Sequence, residues 1–162
     1  MHTKNNIMVY NFKNLNSKEI AYSLATLVDL IDDLRIQLKE RGFPIKSSKP
    51  LHDYNEYGFY IKSKEGLSDI FVGFWLDCWQ STGQAFAIVV SGEEKNQKRF
   101  NALVSEFCNV RKSEGLKYLL FNDFPTILIS EQYFDNSELI KNLSKLLKEL
   151  ASVLGFQFGF ME

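Results

Sequence analysis

The chain is most informative between residues 68 and 80, which read SDIFVGFWLDCWQ. Side chains alternate between the two faces of a β-strand, so a strand here would place Phe71, Trp75 and Trp79 on one face, together with Asp69 and Asp77. The opposite face would carry Ile70, Val72, Phe74, Leu76 and Cys78. Because both faces are apolar, the sequence predicts a strand in the middle of a sheet that is covered on both sides.

The length of this strand leaves a second assignment open. A strand over residues 68–79 would be about 40 Å long, roughly twice the usual length, and Gly73 is where a bulge would bend it. A bulge moves every later residue to the other face, which would bring Trp75 and Trp79 together with Ile70 and Val72. Both faces stay apolar in either assignment.

Three helices are predicted from apolar residues that recur at helical spacing. They span about residues 17–41, 91–114 and 135–154. Each begins with a pattern that resembles a capping box, and a glycine follows each end.

Strands are predicted between these helices. They cover residues 57–61, 68–79, 85–90, 116–121 and 126–131, with hairpin turns at 81–83 and 122–125. The resulting order is αβββαββα. We therefore expect one α+β domain over residues 1–162, with a mainly antiparallel sheet of about five strands and three helices. The alternating tail Phe156, Phe158, Phe160 would add a short strand or fill a gap.

The predicted hairpin extends the aromatic face. A turn centred between Ser81 and Thr82 would place Trp75 opposite Ile88 and Asp77 opposite Phe86. The face would then carry Phe71, Trp75, Trp79, Phe86, Ile88 and Val90. This patch exceeds what monomers usually expose, so we expect a cover: a helix or the aromatic tail of this chain, a partner protein, or a small ligand.

Composition excludes several classes of protein. The chain has 45% hydrophobic residues, including 14 Phe, and 19 basic against 20 acidic residues, so no global charge attracts nucleic acid or an anionic membrane. Its longest apolar run, 70–76, is far shorter than the roughly 20 residues of a membrane helix. Without a secretory signal pattern, a cytoplasmic location is expected.

Metal and cofactor motifs are absent from the sequence. The only histidines, His2 and His52, and the cysteines Cys78 and Cys108 lack the spacing of a zinc site. Both cysteines lie in apolar patterns, where a small buried hydrophobe is expected and a disulfide or reactive thiol is the alternative. We predict no cofactor and no metal.

One resemblance suggests an enzyme. The order of the predicted elements resembles the core of the restriction-endonuclease-like nucleases, whose acidic residues hold a divalent metal. The residues of this chain that match the family's pattern are Asp69, Glu93 and Lys95. The resemblance implies that the two carboxylates bind Mg²⁺ and that the lysine assists the attacking water. The family places its Glu-x-Lys within a strand, whereas Glu93 here follows Gly92 at a helix start. A capping box of Ser91 with Glu94 is the simpler interpretation.

A second resemblance suggests a binding protein. The order αβββαββα is similar to that of small secretion chaperones and related adaptors, a likeness of topology without a motif. It implies a non-catalytic, chaperone-like protein-binding or adaptor domain, with a homodimer or another protein as partner. The residues predicted to contact the partner are Phe71, Trp75, Trp79 and Phe86. A nucleic acid is not expected, and no small-molecule ligand is evident from the sequence.

Overall fold

A computed structural model describes residues 17–45, 56–63, 68–84, 86–130 and 138–156. These residues form the helices and strands of an α+β fold, as the sequence predicts. In chain order they are α1 (Ser17–Glu40), β1 (Glu56–Lys62), β2 (Asp69–Trp75), α2 (Leu76–Thr82), β3 (Phe86–Ser91), α3 (Gln97–Asn109), β4 (Leu116–Phe121), β5 (Phe124–Ile129) and α4 (Leu139–Leu154). Short 3₁₀ turns at Glu94–Asn96 and Lys112–Glu114 flank α3. The short helix α2 is the one that the sequence patterns did not predict.

The five strands form an antiparallel sheet in the order β1-β2-β3-β5-β4. In the β2–β3 pair, Ile70 lies opposite Val90 and Phe74 lies opposite Phe86. In the β3–β5 pair, Val89 lies opposite Thr126. The central strands β2 and β3 are therefore paired on both sides, which agrees with their lack of charge between residues 70 and 75 and between 86 and 90.

The main core lies between one face of the sheet, here called the inner face, and the helices α1, α3 and α4. The strand residues at its centre are buried and include Phe59, Ile70, Val72, Phe74, Phe86, Ile88 and Val90. The helices contribute the apolar stripes that the sequence predicts, such as Leu27 and Ile31 of α1. Burial of these residues supplies most of the stability of the fold.

The predicted strand over residues 68–79 is wrong in its second half. β2 ends at Trp75, and residues 76–82 turn into α2, which Gly83 terminates in the left-handed conformation with φ 80°. The hydroxyl of Thr82 donates to the carbonyl of Cys78, one turn back. The excess length noted in the sequence is therefore removed by a change of secondary structure, and no bulge is needed at Gly73, which pairs with Ala87.

The predicted hairpin register is wrong as well. The predicted turn residues, Ser81 and Thr82, belong to α2, so β2 and β3 pair with a shift of three positions. A shift by an odd number moves side chains to the opposite face. Phe86, Ile88 and Val90 consequently lie on the inner face, not beside Phe71 and Trp75.

The other predicted elements differ at their ends. The second helix begins at Gln97 rather than Ser91, and no side-chain hydrogen bond caps it, so the capping box of Ser91 with Glu94 is not formed. The predicted start of the third helix near residue 135 lies outside the described residues, as do Phe158 and Phe160 of the predicted tail. The helix itself begins at Leu139, and Gly155 follows its end with φ 76°.

The β4–β5 hairpin has a tighter turn than predicted. Asn122 and Asp123 have positive φ values of 50° and 67°, which is the geometry of a two-residue type I′ turn. Phe121 lies directly opposite Phe124 at the end of the hairpin. The turn thereby brings these two phenylalanines to the same end of the sheet. Pro125 lies within β5.

Candidate binding face

The face of the sheet opposite the three long helices, here called the outer face, carries its own apolar cluster. Its buried members are Phe71, Cys78, Ala87, Val89 and Leu128, and half-buried members pack against them: Tyr60, Trp75, Leu119, Phe121 and Phe124. Among the described elements, only α2 contributes a side chain to this cluster from outside the sheet. The two-sided apolar pattern of β2 therefore corresponds to two separate clusters.

Small residues allow an aromatic ring to lie flat on the outer face. Gly58 lies opposite Gly73, and Gly73 lies opposite Ala87 on the next strand. A Cβ atom on Gly58 would lie 2.7 Å from the ring of Phe71, so that ring occupies the space that a side chain would need. This packing explains why Phe71 is buried although no long described helix lies over it.

The half-buried aromatic rings contact one another over the face. Tyr60 and Phe71 lie with ring centroids 5.3 Å apart in a tilted arrangement. Trp75 and Phe121 lie 4.8 Å apart with an interplanar angle of 75°, an edge-to-face geometry. The outer aromatic side chains are therefore held in place by contacts with each other.

Acidic groups lie beside these rings. The hydroxyl of Tyr60 donates a 2.8 Å hydrogen bond to Oε1 of Glu56. Burial, this hydrogen bond and the negative charges of Glu56 and Asp69 raise the pKa of Tyr60 above its ordinary value, so the phenol stays neutral. Oδ1 of Asp69 is buried and has no hydrogen-bond partner. This part of the face is accordingly favourable for a positive charge.

A small cavity opens between the rings and the acidic groups. Its volume is about 110 Å³, and its walls are Glu56, Tyr60, Phe71, Trp75, Val89, Ser91 and Phe124. The residues come from β1, β2, β3 and β5, so the cavity depends on the strand order rather than on any single element. Such a mixture of apolar walls and few polar groups is typical of ligand sites.

Only two of the four predicted partner-binding residues lie on the outer face. Phe71 is buried beneath the outer rings, and Trp75 is half-buried at the end of β2. Trp79 and Phe86 are fully buried in the main core, so the prediction that all four share a face is wrong. The physical reason is the turn into α2, which rotates Trp79 to the inner side, together with the shifted register of Phe86.

Residues of the outer face that the sequence patterns missed are Glu56, Tyr60, Phe121 and Phe124. The alternation of Tyr57, Phe59 and Ile61 in β1 leaves Tyr60 on the opposite face, and this signal could have identified it. Phe121 and Phe124 could have been identified only if the two-residue turn between them had been recognised.

The proposed nuclease residues lie near one end of β2 and β3. Asp69 lies opposite Ser91, two residues before Glu93. The carboxylate of Glu93 pairs with Nζ of Lys95 at 3.1 Å, which is a local ion pair between exposed side chains. Within the described ranges, no group of three His, Cys, Asp or Glu side chains is arranged to hold a metal ion. His2 and His52 lie outside those ranges.

Both cysteines are free and buried, as the sequence predicts, although Cys78 lies on α2 rather than on a strand. Burial raises the pKa of the Cys108 thiol to about 12, against a smaller opposing effect of Arg111. Burial also raises the pKa of Cys78. Because the thiolate is the reactive form, both thiols are poor nucleophiles at neutral pH.

Comparisons with known proteins found no similarity at a significant level: no family model matches the chain, and no curated protein or solved structure matches it. No helix in the described part of the chain is both long and apolar enough to cross a membrane.

Proposed function

We propose that this protein is a non-catalytic protein-binding domain of the adaptor or chaperone type, and that the outer face is its binding surface. The observation that carries the proposal is the layer of half-buried aromatic side chains on a sheet face over which α1, α3 and α4 do not pack. Tyrosine, tryptophan and phenylalanine are enriched in protein interfaces and supply most of the energy at their centres.

The fixed positions of the rings support this proposal. Trp75 is held by Phe121, and Tyr60 is held by Phe71 and by Glu56. Side chains that are ordered before association lose less conformational entropy when a partner binds. The outer face would therefore bind without reorganisation of its own rings.

Charge favours a partner other than a second copy. Glu56 and Asp69 both place negative charge near Tyr60 on the outer face, to which a basic segment is complementary. A homodimer through the same face is the alternative occupant. Light scattering separates the two, because a dimer has twice the 18.8 kDa mass of the chain.

Light scattering on the wild type, Trp75→Ala and Ile36→Ala, combined with capture of partners from a cell extract, tests the proposal. Ile36 is an exposed residue of α1, so Ile36→Ala is a matched control on a different surface. We expect association or capture that Trp75→Ala abolishes and Ile36→Ala retains. A wild-type chain that is monomeric at every concentration and captures nothing would refute the proposal.

A further inference from the structure

The cavity in the outer face has the chemistry of a site for a small cation, because aromatic rings and a carboxylate form its walls. The cavity of about 110 Å³ is open to solvent on one side, so a group bound there need not fit entirely inside it. We propose that it binds a methylated ammonium group, carried either by a small metabolite or by a methylated lysine of a partner protein. This inference deepens the proposed function, because it rests on the same face and names the group recognised there.

Aromatic side chains form much of the wall of the cavity. Four rings contribute to the cavity: those of Tyr60, Phe71, Trp75 and Phe124. The negative faces of such rings attract a cation within about 6 Å, and cages of them recognise quaternary ammonium groups. Neighbouring rings fix two of the walls, since Phe71 lies 5.3 Å from Tyr60 and Phe121 lies 4.8 Å from Trp75.

One carboxylate forms part of the cavity wall, and the charge of a second acts on Tyr60. Glu56 lines the cavity and accepts a hydrogen bond from the hydroxyl of Tyr60. In the part of the chain that the structure describes, neither Glu56 nor Asp69 belongs to an ion pair, although Lys62 is the strand neighbour of Asp69. Oδ1 of Asp69 is buried without a hydrogen-bond partner. A cation bound in the cavity would compensate the charge of Glu56, which is part of its wall.

Choline and its neutral isostere, in which a carbon atom replaces the nitrogen, provide a direct test. The chain has two tryptophans, one beside the cavity and one in the main core, so its two indole N–H signals in an NMR titration contain an internal control. We expect choline to shift the signal of Trp75 and to leave that of Trp79 unchanged. Equal shifts with the isostere, or no shift with choline, would overturn the inference.

Variants identify the groups that bind. Glu56→Gln should weaken choline binding about two- to fivefold, as expected for loss of a partly exposed charge. Phe124→Leu removes one ring and should weaken binding about two- to thirtyfold. Glu40→Gln, at the exposed end of α1, is the matched control and should leave the affinity unchanged. Unchanged affinity in Glu56→Gln and Phe124→Leu would contradict the assigned site.

Peptides separate the two sources of the group. A trimethyl-lysine peptide that binds more tightly than choline assigns a partner protein, whereas weaker binding assigns a metabolite. Equal binding of the methylated and unmethylated peptides would overturn the inference. If choline does not bind but Trp75→Ala still abolishes capture of a partner, this inference fails while the proposed function stands.

Discussion

Trp75 and Phe121 pack edge to face with their ring centroids 4.8 Å apart, although β3 and β5 lie between the strands that carry them. Three strand spacings separate β2 from β4, about 14 Å. The two side chains therefore extend toward each other over the outer face and connect the two halves of the sheet.

This contact predicts energetic coupling between the two residues. In a double-mutant cycle of Trp75→Ala and Phe121→Ala, we expect an interaction of about 0.5 to 1.5 kcal/mol in the free energy of unfolding, measured with urea. The cycle of Trp79→Ala with Phe121→Ala is the control, since those residues lie on opposite faces. Additive effects of Trp75→Ala and Phe121→Ala would contradict the contact.

The two tryptophans should differ in their contribution to stability. Trp79 is fully buried in the main core, so Trp79→Ala should destabilise the fold by about 3 to 5 kcal/mol. Trp75 is half-buried, so Trp75→Ala should cost less, about 1 to 2 kcal/mol. Denaturant midpoints measure both values, and a larger cost for Trp75→Ala would show that the faces are assigned wrongly.

The hairpin turn offers a stabilising substitution. Asp123 adopts a φ of 67°, a conformation that glycine adopts without the steric penalty of a side chain. Asp123→Gly gives the Asn-Gly sequence preferred in type I′ turns and should raise the free energy of unfolding by up to about 1 kcal/mol. Thermal unfolding checks this, with Asp123→Ala as the control that should not stabilise.

Alkaline pH should destabilise the protein through Cys108. Its pKa rises from 9.0 to about 12 on burial, so the folded chain keeps a proton that the unfolded chain releases. The stabilising effect is complete below pH 9 and is lost as the pH approaches 12, with a slope of at most about 1.4 kcal/mol per pH unit. As the pH rises from 9 to 12, the urea midpoint of unfolding should fall less for Cys108→Ala than for the wild type. The same fall in both proteins would exclude this thiol as a cause.

Strong local signals made much of the fold predictable. The apolar stripe of α1, from Leu27 to Leu38, repeats at helical spacing over several turns and is followed by Gly42. The alternation in β1 is equally clear, and a turn between β4 and β5 is predicted, although at residues 122–125 and not as the two-residue turn that the structure has. Such elements are specified by residues close in sequence. Their order along the chain is therefore predicted correctly, and only their first or last residues differ in the structure.

The boundary between β2 and α2 could not be read in the same way. Residues 70–79 are nearly all apolar, and such a run fits a strand and a helix equally well. The excess length of the predicted strand and Gly83 before β3 were the available signals. Because the register of a hairpin depends on its turn, this one error also assigns Phe86 to the wrong face of the sheet. The predicted set of residues on the candidate face is wrong for the same reason.

The outer face is the proposed protein-binding surface of the chain. Quantitative capture from a cell extract, with wild type, Trp75→Ala, Phe121→Ala and the control Ile36→Ala as baits, tests this most directly once all four are shown to be folded. A differently tagged second copy is included among the candidate partners. We predict that at least one protein is retained by wild type and Ile36→Ala and reduced about tenfold or more by both aromatic substitutions. Partners that bind all four baits equally, or no retained protein at all, would contradict the assignment of this face as the binding surface.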